Sequence, residues 1–278
     1  MLCLYEEIKM IIDNFELPNL GNDEYIFDSH AHYDDTSFDN DRDDLLCNIN
    51  KYGVCGIINN SSSFELCKKG LEIAHKYPFM YQAVGVHPEF AESFDDNMLS
   101  ELEKLLFDEK AVAVGEIGLD YHYDDGADKN IQKSVFISQI ELAKKHDLPI
   151  IVHDRDAHCD TLDILKEYKP KGVVHCYSGS VETMREIVKL GMYVGMTGVI
   201  TFKNARKAVE CIAELPLERL LIETDCPYLA PVPFRGKRCN SSMISLTAEK
   251  IAEIKGVTRA EILKATRENA NRLFGLNL

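Results

Sequence analysis

The sequence predicts a single (β/α)8 barrel, the TIM fold, and three observations carry the prediction. From Tyr25 onward, short and nearly continuous apolar runs alternate with amphipathic segments, and runs apolar on both sides suit parallel strands covered by helices. The runs number eight, and eight β-then-α units in about 250 residues is the count of such a barrel. An open doubly wound sheet, the competing arrangement, normally carries a Gly-rich phosphate turn after its first strand. That position holds His30-Ala31-His32 instead.

The elements follow in order. Residues 1–24 precede the first run and form a separate extension; Ile8, Ile11, Ile12 and Phe15 at helical spacing predict a helix over Tyr5 to Phe15, ended by a Pro, Gly and Asn stretch. The barrel then occupies residues 25–278. Its strands are expected at Ile26 to Asp28, Val54 to Asn59, Met80 to Val86, Ala111 to Ile117, Pro149 to Val152, Gly172 to His175, Met192 to Val194 and Leu220 to Ile222. Ser62 with Glu65 reads as a capping box opening the helix that carries Phe64, Leu71 and Ala74. Leu99, Leu102, Leu105 and Leu106 make one apolar stripe, and Val135, Phe136, Ile140 and Ala143 another. Two closing helices, Thr247 to Lys255 and Thr258 to Phe274, end the barrel, the second with its own box at Thr258 and Glu261.

Composition narrows the function. At 278 residues and 45% apolar the chain can bury a large core, and its apolar runs are too short to span a bilayer. The acidic start MLCLYEEIKM lacks the basic and unbroken apolar segments of an export signal. Nine scattered cysteines without a C-x-x-C pair suit a reducing cytoplasm, the expected location. A formal charge of −15 argues against an extended phosphate-binding face, so a phosphate-bearing substrate would need local positive charge. A metal centre supplies that.

The candidate ligands sit where the strand signals end, the end at which such barrels build active sites. His30 and His32 share one side of the first strand. Glu116 comes at the end of the fourth strand between Gly115 and Gly118, glycines that let backbone pass close by; His153 follows the fifth, His175 the sixth and Asp225 ends the eighth. Three positions have competitors: His158 for His153, Cys176 for His175, and Glu223 for Asp225. Four imidazoles and two carboxylates exceed the needs of one zinc ion and suit two divalent ions sharing a carboxylate. An imidazole-rich set favours zinc or manganese over magnesium.

The series DSHAHYDD, GVHPEF, GEIGLDY, IVHDRDA, HCYSGS, ETDCPYLAP, FRGKRCNSS and ENANRLFG resembles the TatD family of metal-dependent deoxyribonucleases and hydrolases, over about Ile26 to Gly275. The resemblance implies a TIM barrel with two divalent ions, His30, His32 and Asp225 holding the first, His153 and His175 the second, and Glu116 bridging. It also implies that magnesium supports activity in some members. The family includes DNases resembling 3′ to 5′ exonucleases and members linked to deacylation of D-aminoacyl-tRNA. This chain departs from the family pattern in its first 24 residues, in Asp154 after His153, and in Cys239-Asn240-Ser241-Ser242 after the Arg235 to Arg238 stretch.

The expected activity is therefore hydrolysis of DNA phosphodiesters by a two-metal-activated water, with Asp225 as general base and Glu116 beside it. Arg155 and the Arg235 to Arg238 cluster would meet phosphoryl charge, and His87 would contact substrate or donate a proton. Tyr121, Tyr123, Tyr177 and Tyr228 could stack on bases. The alternative is an amide or ester hydrolase such as a D-aminoacyl-tRNA deacylase, and a third reading is a catalytically silent metal-bound scaffold. The expected partner is DNA or another phosphate-containing substrate, with no membrane, and nothing in the sequence requires more than a monomer.

Overall fold

The computed structural model describes residues 11–12, 15–21 and 23–278. Eight strands form one sheet in chain order: β1 (Ile26–Ala31), β2 (Val54–Asn60), β3 (Met80–Val84), β4 (Ala111–Asp120), β5 (Ile150–Arg155), β6 (Gly172–Val174), β7 (Tyr193–Met196) and β8 (Leu220–Ile222). Every neighbouring pair is parallel. The last strand returns to the first: Asp225 donates its backbone N–H to His30 O at 2.9 Å and His32 to Cys226 O at 2.8 Å. The result is the expected barrel, closed at the end that carries the histidines.

Helices α1 (Arg42–Ile49), α2 (Phe64–Lys76), α3 (Asp96–Leu105), α4 (Lys129–Lys145), α5 (His158–Tyr168), α6 (Val181–Lys189), α7 (Arg206–Glu214), α8 (Ile244–Lys255) and α9 (Arg259–Phe274) complete the order. Inside the sheet, Phe27, Ile58, Ala83, Ala113, Ile151, Val173, Tyr193 and Leu221, one from each strand, form an apolar cluster with Ala270, Leu273 and Phe274 of α9. The Phe27 and Phe274 rings stack at 6.4 Å. The C-terminal helix thus plugs the end of the barrel opposite the histidines. Thr258 and Glu261 make the expected capping box at its start.

Three expectations need correction. Ile11–Ile12 pairs antiparallel with Phe15–Glu16, so these residues of the expected N-terminal helix are strand; the rest of that helix, residues 5–10 and 13–14, lies outside the described residues. Two β-branched residues in a row favour strand once a partner is in reach. The cap of α2 is Ser63, whose hydroxyl accepts from Leu66 N; Ser62 instead gives its carbonyl to His87 N at 2.9 Å. Finally, β4 and β5 run three residues past their expected ends, so His153, expected after its strand, lies within it, while Glu116 is in strand as expected. Among the described residues no helix is long and apolar enough to cross a membrane, and the eight described cysteines are free thiols.

Candidate metal centre

Strand alternation explains half of the site. Two residues beyond the inward Ile151, Val173 and Leu221 come His153, His175 and Glu223, while His87 lies past the end of β3 as the cap of the 3-10 helix Pro88–Ser93. The other half needs irregular backbone. The β1/β2 register shifts between Asp28 and Ala31, and the β4/β5 register between Val114 and Ile117, and each shift changes which residue faces inward. His30 and Glu116 sit in those shifts. Gly118, at φ +147°, passes so close to β5 that a Cβ would stand 2.0 Å from His153 O.

Glu116 is the hub. Its Oε1 lies 2.8 Å from His153 Nδ1 and 2.8 Å from His175 Nε2, and its Oε2 lies 3.3 Å from His30 Nε2 and 3.7 Å from His32 Nε2. Asp225 Oδ1 closes the second side at 3.1 Å from His32 Nε2 and 3.6 Å from His30 Nε2. The His30 and His175 rings stack at 3.9 Å. All six sequence-predicted ligands therefore meet, in two donor sets that share one carboxylate.

The competitors fall out by position. His158 hydrogen-bonds Asp154 at 2.7 Å, and the Cys176 thiol turns to Thr197 Oγ1 at 3.7 Å. Glu223 lies fully buried beneath the site, accepting from Cys176 N at 2.6 Å and Ser29 Oγ at 3.2 Å, with Oε1 3.5 Å from His175 Nδ1. It lies against the side of the His175 ring opposite the Nε2 that meets Glu116.

The electrostatics call for positive charge. Burial alone would raise the Glu116 carboxyl, yet the His175 and His30 imidazoles and the hydrogen bonds from His153 and His175 hold it well below the usual range. Burial opposes charge on His32, but the Asp225 and Glu116 carboxylates outweigh it and push the imidazole up to about 9. The His153 and His175 imidazoles are raised against burial too, by Asp120 and Glu116 for the one and chiefly by Glu116 for the other. His30 goes the other way, lowered by burial and by His175.

The donor set fits divalent cations. His32 Nδ1 lies 2.6 Å from the Asn60 carbonyl O, which holds the ring proton there and aims the Nε2 lone pair at Asp225, Glu116 and His30 Nε2, 3.1 Å away. A lone pair facing carboxylate oxygens is stable only with a cation or a proton between them. Oxygen and nitrogen atoms in each of four groups, among them His30-His32-Glu116 and Glu116-His153-His175, lie within 4.8 Å of one another.

Comparison with known proteins fits this geometry. The family model described as TatD related DNase matches residues 27–275. The chain belongs to the TatD family. It is 44% identical over 255 residues to YabD of Bacillus subtilis, named an uncharacterized metal-dependent hydrolase, covering 91% of this chain and 100% of that one. The crystal structure of the TatD homologue YjjV from Escherichia coli superposes with a TM-score of 0.86 at 33% identity, over 91% of this chain and 98% of that chain. A TatD family hydrolase from Entamoeba histolytica follows at 0.83 and 27% identity, over 90% and 98%. The chain is thus a metal-dependent hydrolase of this family.

The remaining candidates divide. His87 joins the centre, Nε2 3.7 Å from Glu116 Oε1, its imidazole pushed down to about 3 by burial and by the neighbouring His153. Arg155 stands over the exposed Tyr123 ring at 5.1 Å and 4.0 Å from Asp120. Arg235 lies over Phe202 at 4.5 Å. Arg238 is committed elsewhere, bridging to both oxygens of Asp41, so it is no substrate cation; a loop this acidic captures the nearest guanidinium. Tyr177 is buried, with its O–H on Ser180 O, and Tyr121 binds Asp160, whereas Tyr123 and Tyr228 stay exposed. Sequence reasoning missed Asp120, which accepts from His153 Nε2 at 3.0 Å. The signal was there: Asp120 lies two strand positions beyond Gly118, on the same edge as His153.

Proposed function

We propose that this chain hydrolyses phosphodiester bonds in DNA with two divalent metal ions. The observation that carries the reading is Glu116, one carboxylate shared by two donor sets, each oxygen facing two imidazoles. His30, His32 and Asp225 would hold one ion and His153 and His175 the other, Glu116 touching both; zinc or manganese suits the imidazoles best. Such a pair would polarise a phosphoryl group and lower the pKa of an attacking water.

The chain's own residues supply the rest. Asp225 has a side chain 16% exposed against 4% for Glu116, so it can meet an incoming water and take its proton, whereas Glu116 is enclosed. Arg155 and Arg235, each above an exposed or partly exposed aromatic ring, would bind phosphate and base together at the mouth. The family description as a DNase supports the substrate class. The acidic charge of −15 favours a second reading, a metal-dependent amide or ester hydrolase acting on small or aminoacyl substrates.

The test is direct. Purified protein loaded with manganese or magnesium should degrade single-stranded DNA, and Asp225→Asn should lower kcat by on the order of 100-fold or more while leaving the fold intact. Cleavage of D-aminoacyl-tRNA without cleavage of DNA would select the second reading.

A further inference from the structure

His87, Asp120 and His153 form a third group of close donor atoms beside the two sets already described, with its atoms within 4.8 Å of one another. Three such residues could be taken for another cation site. The hydrogen bonds of His87 decide otherwise. Its backbone N–H is held by Ser62 O at 2.9 Å, and its ring caps the 3-10 helix Pro88–Ser93, with Nδ1 accepting from Glu89 N at 3.2 Å. A ring nitrogen that accepts a hydrogen bond bears a lone pair, so the single proton of this imidazole sits on Nε2. A cation on Nε2 would drive that proton to Nδ1, against the Glu89 N–H. His87 is therefore unsuited to be a ligand.

Its Nε2–H has somewhere to point. The nearest carboxylate oxygen, Glu116 Oε1, is 3.7 Å away, beyond hydrogen-bond length, and among the described residues Nε2 has no acceptor in reach. The side chain is 13% exposed and its ring stands 4.4 Å from the His153 ring, so the donor lies at the open edge of the centre beside Glu116. Loss of this proton would leave an imidazolate, which rules out a general acid; what remains is a fixed neutral dipole, of the kind that stabilises developing oxyanion charge without transferring a proton.

We infer that His87 is a neutral hydrogen-bond donor to a phosphoryl oxygen of the bound substrate, and not a ligand for a third cation. The inference rests on the reading that a phosphoryl group occupies this mouth. Two variants separate the donor from the helix cap. His87→Asn keeps a good cap, but its short amide does not reach the Nε2 position. His87→Gln places an amide N–H near that position and caps poorly.

The metal-loaded full chain and both variants are titrated with inorganic phosphate, and the bound metal is counted by elemental analysis. His87→Asn should bind phosphate about tenfold or more weakly with an unchanged melting temperature, and His87→Gln should bind it within about threefold of wild type despite melting earlier. Metal content should be the same in all three. Wild-type phosphate affinity in His87→Asn, affinity that follows the cap instead of the donor, loss of an ion from either variant, or no phosphate binding by the wild type would each overturn the assignment. A wild type that binds phosphate but leaves DNA intact defeats the phosphodiesterase reading and leaves this one standing.

Discussion

Glu116 is enclosed by imidazoles on both oxygens, and its removal touches both donor sets at once. Glu116→Gln keeps the shape and removes the charge, so both ions should be lost together; elemental analysis finding one ion retained would show that the carboxylate serves a single site. A second outcome follows from the raised imidazoles. His32, pushed up to about 9, and His175, raised well above the ordinary imidazole value, carry protons at neutral pH in the metal-free chain, and the carboxylates raise His153 in the same direction. Binding a cation must expel them, so affinity should climb as pH rises toward 9 and fall in acid. Calorimetry in two buffers of different ionisation enthalpy measures the released protons, and zero release would contradict the raised imidazoles. Four of these positions were legible because strand-end histidines stand out in an apolar run. The roles of Glu223 and Asp120 were not, since a buried carboxylate that stands against a histidine looks in sequence like any acid near a strand end. Asp225 sits at φ +58°, a left-handed conformation that Asp tolerates better than most residues, and no spacing rule announces it.

Among the elements, those with a strong period were readable and those set by a single hydrogen bond were not. The capping box at Thr258 was found because both its members are in sequence, whereas the cap of α2 falls one residue later, on Ser63, and Ser62 binds His87 N through its carbonyl. Ahead of the barrel, Arg259 at the start of α9 binds Glu24 through Nε at 3.1 Å and Nη2 at 2.6 Å, and also reaches Asn19 O at 2.7 Å. This pair fastens the segment before β1 to the last helix. Both side chains are largely covered, at 19% and 11% exposed, so Arg259→Ala should cost about 1 kcal/mol and lower the melting temperature by about 2–4 °C. The Arg259 hydrogen bond holds the Glu24 carboxyl below its ordinary range. Its contribution is therefore complete above the ordinary Glu value of about 4.3 and disappears as pH falls through the lowered one. The gap between wild type and variant should be full at pH 7 and close in strong acid; thermal melts across that range check it, and a gap that widens in acid would refute the pairing.

For the molecule as a whole, charge decides how a nucleic acid could be held. The chain carries 31 Lys and Arg against 46 Asp and Glu, and the cations proposed for the mouth are few: Arg155 and Arg235 stand over aromatic rings, while Arg238 is already bound to Asp41. An extended single strand would meet repulsion along most of the surface, so contact must concentrate on the one or two phosphates at the centre. Each phosphate neutralised by side chains contributes a slope of about −0.7 in log affinity against log salt for a single strand. Two contacts predict a total slope of about −1.4, shallow for a nuclease, with affinity dominated by the metal-bearing mouth and weakly dependent on strand length. Measuring binding of short and long single strands to Glu116→Gln and wild-type protein over a range of salt tests this. A slope several times steeper, retained in the variant, would require a basic track elsewhere on the surface and would show that this acidic barrel grips DNA by something other than its active mouth.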